Sequence, residues 1–294
     1  MVSSLNRDPI DLHTHTTASD GTDSPRQLVD TAREAGLVAV AVTDHDTIAG
    51  VAEAQQRGLE TGVEVIPGIE ISAKHEGQGV SHILGYFVDI DDEHFRERIS
   101  WVQARRNERN PQIIAKLNHL GIDVSYDEVC EIAGEGQVGR PHIAQALVRR
   151  GAAESVKDAF NRYLHTTAPA YVAKEKLPLA ESIDVIRKAG GVAVLAHPYQ
   201  TWLDDEALEQ YVEKLADLGL GGIECWYTQH TVEQTDHYRA LAYRYNLVAT
   251  GGSDYHGSTK PDVRLGVVST GGPIPYSIVE ELRSRCRRPK GDTR

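Results

Sequence analysis

The sequence reads as an α/β barrel interrupted by a helical insertion, and three observations carry that reading. Short apolar runs rich in β-branched residues alternate with amphipathic stretches at helical spacing, the rhythm of parallel strands joined by helices. Several of these runs finish in His, Asp or Glu, as strand ends do when they build a site at one face of a barrel. From about residue 93 to residue 178 that rhythm gives way to helical patterns alone. The chain therefore divides into a first barrel part over 1–92, the insertion over 93–178, a second barrel part over 179–285 and a tail over 286–294.

Taken in order, the first strand is expected over Ile10–Thr16, where His13 and His15 stand two apart and so share a face. Asp20-Gly21 follows in a turn. A helix from Pro25 to Ala35 leads to the run Leu37–Thr43, apolar on both faces and ending in Asp44-His45-Asp46. A helix from Ile48 to Thr61 precedes a third strand, Val63–Glu70, finishing in a carboxylate. The polar turn Glu76–Gly79 then makes Ser81–Val88 a hairpin partner, with His82 near its start.

The insertion reads as helices over Glu93–Leu120, Pro141–Arg150 and Val156–Leu164. Strands resume at Gly191–Pro198, Gly222–Trp226 and Leu247–His256, the first carrying His197 and the last Asp254 and His256. Helices Leu179–Lys188, Asp204–Leu218 and Val232–Tyr245 separate them, and Arg287–Arg294 reads as a frayed end.

Composition excludes several classes. The 294 residues are 40% hydrophobic and 25% charged, ordinary for a globular protein, and no apolar run has the length of a membrane span. No signal pattern precedes the first strand, so the chain is expected to be cytoplasmic. The three cysteines are far apart and read as buried reduced thiols. A net charge of −12 argues against broad binding to duplex DNA, so an anionic substrate would have to be held by metal ions and local arginines.

His13, His15, Asp20, His45, Glu70, His82, His197, Asp254 and His256 all fall at or near strand ends, where residues distant in sequence converge. Six of the 13 histidines sit in these few termini. The others, His75, His94, His119, His165, His230 and His237, read as polar groups of helices and loops, and His142 divides evenly between the two. Nine ligands exceed what one ion needs. An imidazole–carboxylate set without thiolate suits Mn²⁺, Zn²⁺ or Fe²⁺, with Glu70 able to bridge two ions.

His13-Thr14-His15, Thr43-Asp44-His45-Asp46, Glu70, His82, Ala196-His197-Pro198 and Gly252-Ser253-Asp254-Tyr255-His256-Gly257 resemble, in order, the motifs of the PHP (polymerase and histidinol phosphatase) family. Within it the chain is most similar to the stand-alone nucleotide phosphoesterases whose helical insertion carries a Gly-Arg-Pro-His segment, here Gly139–His142. The resemblance implies a distorted seven-stranded β/α barrel and two or three divalent ions, Mn²⁺ foremost, with Zn²⁺, Fe²⁺ or Mg²⁺ as alternatives. One ion would take His13, His15, Glu70 and Asp254, a second Glu70, His82 and His197, and a third Asp20, His45 and His256. The ions would activate water for attack on phosphorus. The implied reaction releases the 3′-phosphate of nucleoside 3′,5′-bisphosphates. Shortening of 5′-phosphorylated RNA is the nearest alternative, and a C–N amidohydrolase or a non-catalytic nucleotide sensor are rivals of a different class.

The insertion supplies the candidates for a non-reacting phosphate: Arg140, His142, Arg106 and Asn107. Arg140 stands beside Pro141 at a loop-to-helix junction, where backbone N–H groups and a bidentate guanidinium suit an anion. Arg105 and Arg109 read as solvated, paired with neighbours such as Glu108.

Overall fold

The computed structural model describes residues 8–77, 79–269 and 272–286, so Gln78 of the polar turn and the tail from 287 onward lie outside the described residues. Strands β1 (Pro9–Asp11), β2 (Ala39–Val42), β3 (Glu64–Ala73), β4 (Ser81–Tyr86), β5 (Val192–Leu195), β6 (Gly222–Tyr227), β7 (Val248–Gly252) and β8 (Ile274–Pro275) form one sheet in the order β7-β6-β5-β4-β3-β2-β1-β8. β1 through β7 go round the barrel, and the two-residue β8 pairs antiparallel with β1. Beyond Asp11 the first strand leaves β8 and turns to β7: Leu12 N–H donates to Gly251 O, and Thr14 bridges Tyr255 in parallel. That seam brings the two ends of the sheet together. Gly252 is required there, since a Cβ would lie 2.4 Å from His13 N.

β4 runs antiparallel to both β3 and β5, while the other neighbours among β1–β7 are parallel. Its N-terminal end therefore lies at the same face as the C-terminal ends of the parallel strands, which is how His82, near a strand start, reaches a site built from strand ends. β3 extends three residues past Glu70 because β4 pairs with it as far as Ala73, so Glu70 stands within a strand rather than at its end.

Period-two alternation separates inside from outside. Ala39, Ala41, Ile66, Leu84, Tyr86, Val192 and Val194 fill the barrel with Ile10 and Leu12. Their sequence neighbours face outward, Val40 and Val42 against helices α1 (Pro25–Glu34) and α2 (Val51–Thr61), and Ile83, Ala193 and Leu195 against α7 (Leu179–Lys188), α8 (Asp205–Asp217) and α9 (Val232–Arg244). The inward set continues upward on the same parity. Glu70 follows Ile66 by four residues on β3, and His82 precedes Leu84 by two on β4. The alternation that packs the core thus also aims these polar groups at the barrel mouth.

The insertion contains α3 (Glu93–His119), α4 (Tyr126–Ala133), α5 (Arg140–Arg149) and α6 (Val156–Ala159), which runs into a π turn at Phe160–Leu164. Ile113, Leu117, Val129, Ile143, Leu147 and Leu164 give it a hydrophobic cluster of its own. Neither α4 nor α10 (Ser277–Arg285) is anticipated from the sequence, each being a short helix of only two to three turns. Among the described residues no helix is long and apolar enough to cross a membrane. Cys130, Cys225 and Cys286 are free; only Cys225 is buried, and the other two are half-buried.

Candidate metal centre

The nine strand-end residues meet in one place at the barrel mouth. His13 and His15 remain on one face because the seam beyond β1 is extended: Asp254 N–H donates to His13 O at 2.8 Å and His15 N–H to Tyr255 O at 2.9 Å. Thr14 points the other way, donating to Ala41 O at 2.6 Å. Asp44 holds the loop before Asp20, accepting from Thr16 N–H and Thr16 Oγ1 at 2.7 Å each and from Ser19 Oγ at 2.6 Å. Asp46 and Asp254 have φ of +55° and +58°. This left-handed backbone disfavours most side chains and marks positions held for function.

Four groups bring ligand atoms within 4.8 Å of one another: His13, His15 and Asp254; His13, Glu70 and His197; His45, Glu70 and His82; and His15, Asp20, His45 and His256. Glu70 is the hub. Its Oε1 lies 2.8 Å from His82 Nδ1 and 2.9 Å from His197 Nε2, and its Oε2 lies 3.4 Å from His15 Nε2. Asp254 Oδ1 stands 3.6 Å from His13 Nε2 and 3.2 Å from His15 Nε2, and Asp20 Oδ1 is 3.4 Å from His256 Nε2. His15 reaches the Asp20 group as well as the His13 group, a sharing that the sequence does not suggest.

Two observations test whether these residues fit metal ions. Metal–ligand bonds of about 2.1 Å put adjacent ligands roughly 3.0–3.4 Å apart, close to the separations found here. In addition, His13 Nε2, both ring nitrogens of His15 and His197 Nδ1 are buried without a hydrogen-bond partner, while His45 Nδ1 and Glu70 Oε2 stand 2.7 Å apart. Buried polar atoms in such number are costly to a fold unless something coordinates them. The clusters are therefore able to bind metal ions.

The electrostatics agree. Against the cost of burial, His45, His82 and His13 hold Glu70 well below the usual carboxylate range, and His45 and His256 do the same for Asp20. Burial pushes His82 down to about 4, with His197 and His45 adding to the effect. Burial, with His256 and His45 beside it, also lowers His15. Depressed carboxylates and the neutral imidazoles of His15 and His82 are ligand forms. Against the cost of burial, the carboxylates around them raise His13, through Glu224, Glu70 and Asp254, and His45, through Glu70 and Asp20, to about 9 for His45, so that protons there balance the negative charge a bound cation would balance instead.

Several supporting residues escape the sequence reading. Glu224, fully buried on β6, accepts from His13 Nδ1 at 2.9 Å and from the His197 backbone N–H at 2.7 Å. It keeps the proton on Nδ1 and turns His13 Nε2 toward the centre. The only signal was a carboxylate inside an apolar strand. Asp254 accepts from Tyr227 Oη at 2.6 Å and from Lys260 Nζ. Asp46 accepts from Arg106, Lys174 and the Ser72 N–H.

The centre opens into a cleft of about 960 Å³ between the barrel and the insertion. Seven cationic side chains line it: Lys74, Arg98, Arg106, Arg109, Arg140, Lys174 and Lys176. Arg140 donates to Leu164 O at 3.0 Å and lies over the rings of Phe160 and Tyr171. Arg109 is buried against Asn110 rather than solvated, while Arg105 pairs with Glu108 as expected. Two phosphate-binding candidates already have protein partners. Asn107 is exposed and accepts from Gln137, because the next position on a helix turns it about 100° away from Arg106. His142 accepts the Gly139 N–H at 3.0 Å and so caps its own helix, which also consumes part of the N-terminal donor set expected to face an anion. Conversely His75 and His165, read from the sequence as scattered polar groups, line the cleft.

The arrangement has relatives. The chain is 36% identical over 258 residues to the 5′-3′ exoribonuclease Rnm of Escherichia coli strain K12, covering 87% of each protein. It is 30% identical over 281 residues to the 3′,5′-nucleoside bisphosphate phosphatase of Chromobacterium violaceum, covering 95% of this chain and 98% of that one. A crystal structure from Bifidobacterium adolescentis ATCC 15703, assigned as a metal-dependent phosphoesterase, superposes with a TM-score of 0.84 at 34% identity, over 96% of this chain and 98% of the other. The family model described as PHP domain matches residues 11–250, from the first residues of the seam to the strand before Asp254. By these matches the chain belongs to the PHP domain family.

Proposed function

We propose that this protein is a metal-dependent phosphoesterase that hydrolyses the 3′-phosphate of nucleoside 3′,5′-bisphosphates to the 5′-nucleotide and phosphate. The observation that carries the reading is the joining of a buried histidine–carboxylate cluster to a cleft with seven cationic side chains, in a chain whose net charge is −12. Positive charge concentrated against the overall balance marks the place where an anion is meant to go. The relative named as a bisphosphate phosphatase, matched over nearly its whole length, supports the substrate class.

His13, His15, Glu70 and Asp254 would hold one ion, Glu70, His82 and His197 a second, and Asp20, His45 and His256 a third. Imidazole and carboxylate without thiolate support Mn²⁺ among the candidates. When bound, the ions activate water and neutralise charge building on the phosphoryl oxygens. The chain's own residues do the rest. Glu224 fixes the His13 ring, Asp44 fixes the Asp20 loop, and Tyr227 and Lys260 fix Asp254. Arg140, restrained by Leu164 O and two aromatic rings, is the group placed to bind the second phosphate, and binding there positions the first over the centre. Free cysteines support a reducing, cytoplasmic setting, and the acidic balance speaks against duplex DNA as a partner.

A second reading, removal of nucleotides from the 5′-phosphorylated end of short RNA, is favoured by the E. coli relative's name and by the number of cationic side chains lining the cleft. The deciding experiment gives Mn²⁺-loaded protein adenosine 3′,5′-bisphosphate, a short 5′-phosphorylated RNA and a cyclic amide. Phosphate release from the bisphosphate at higher kcat/KM than nucleotide release from the RNA is the expected result. Faster RNA shortening would exchange the two readings, and amide opening or binding without turnover would refute both. His13→Ala should lose at least ~4 kcal/mol of transition-state stabilisation.

A further inference from the structure

Trp202 is a large aromatic residue left in water beside the centre. Its side chain belongs to a residue that is 59% exposed, yet it lines the cleft. Its backbone lies in the left-handed region at φ 55°, ψ 27°, a conformation that a bulky residue adopts only at a cost. Trp202 belongs to none of the hydrophobic clusters of the described residues. The short 3₁₀ turn Pro198–Thr201 connects it directly to His197, so its place is tied to a residue of the metal centre.

The opposing surface comes from the insertion. His165 caps the π turn Phe160–Leu164, the same turn whose last carbonyl holds Arg140. The His165 and Trp202 rings face each other across the cleft boundary at an interplanar angle of 22° and a centroid distance of 6.1 Å. One ring is thus anchored to the centre and the other to the arginine, with cationic side chains lining the same cleft. Flat aromatic faces next to a cationic wall match a ligand that joins a planar ring to phosphate.

We propose that Trp202, together with His165, forms the stacking platform for the nucleobase of the substrate. It makes the cleft selective for nucleotides over base-free sugar phosphates and tolerant of base identity, because a stack reads the π-face and not the hydrogen-bonding edge. The proposal deepens the nucleotide phosphoesterase reading and rests on it for the substrate class.

The test is calorimetric binding of adenosine 5′-monophosphate and of ribose 5-phosphate to Mn²⁺-loaded wild type, Trp202→Ala and Trp202→Phe, each with a melting curve to show that it is folded. The expected result is a loss of mononucleotide affinity of about 5- to 150-fold in Trp202→Ala, the range of one base stack. Trp202→Phe should recover most of it, and ribose 5-phosphate should bind wild type and Trp202→Ala alike. Unchanged mononucleotide affinity, equal weakening of both ligands, or no mononucleotide binding by wild type overturns the platform. Phosphate release from adenosine 3′,5′-bisphosphate is scored separately. Its absence refutes the phosphatase reading while base-dependent binding still decides the role of Trp202.

Discussion

Replacing Glu224 with Gln should weaken metal binding without emptying the centre of ligands. Glu224 sits at 0% exposure with each carboxylate oxygen committed, Oε1 to His13 Nδ1 at 2.9 Å and Oε2 to His197 N–H at 2.7 Å. Both partners donate. A glutamine offers one acceptor and one NH₂ group, so in either amide orientation an NH₂ must face an N–H. That leaves a buried donor unpaired, at a cost of about 1–3 kcal/mol, and removes one charge-assisted bond. The ring of His13 is then free to take the wrong tautomer, with its proton on the nitrogen aimed at the centre. Losing a partner that orients a ligand typically costs 10- to 100-fold in metal affinity, or roughly 1.4–2.7 kcal/mol. Titration calorimetry with Mn²⁺, paired with melting curves of the metal-free and loaded protein, measures both effects. The loaded variant should lose more of its melting temperature than the metal-free one. An unchanged Mn²⁺ affinity together with a wild-type kcat/KM would refute the argument that Glu224 orients the centre.

Three further outcomes are expected. Asp46→Asn leaves Arg106 and Lys174 buried without their carboxylate, and breaking such a pair costs about 3–5 kcal/mol, so the melting temperature should fall by on the order of 10 °C; a shift under ~2 °C refutes this. Arg140→Ala should cost ~2–4 kcal/mol in kcat/KM on a 3′,5′-bisphosphate and little on a 3′-monophosphate, and equal penalties on both would show that Arg140 does not read the second phosphate. Burial, with Arg106 repulsion, lowers Lys174 to about 7 despite its bond to Asp46, and burial lowers Lys176 to about 8. Both stay cationic only below those values, so binding of sulfate, a dianion at every pH used, should weaken about tenfold or more between pH 6 and 9. In the unliganded protein the same lysines are lowered from 10.5, so the unfolded chain holds more protons between about 7 and 10.5 and stability should rise with pH there. Calorimetry across that range checks the first sign and urea midpoints the second; a flat profile contradicts the assignment.

The strand-end histidines and carboxylates were legible because a polar ligand at the end of an apolar β-branched run breaks a strong local pattern. His13 and His15 show it through period two alone, and Asp44-His45-Asp46 through an abrupt change after Val42. The run of helices was legible for the same kind of reason, since helical spacing replaces the strand rhythm at residue 93, where α3 begins. The protein partners of Asn107 and His142, Gln137 and the Gly139 N–H, were not legible, because proximity in sequence to an arginine says nothing about helix face or about a cap's own hydrogen-bond needs. Glu224 showed only as a carboxylate inside an apolar strand, and Asp46 and Lys174 gave no local sign of their roles, for the partners lie far along the chain; His13 and Glu224 are 211 positions apart. So the sequence by itself determined what chemistry the strand ends can do, because ligand type and strand parity are local properties. Only the tertiary structure decided how the ligands are shared, which buried carboxylates orient them and which rings face each other across the cleft, because barrel closure and the seating of the insertion bring those groups together.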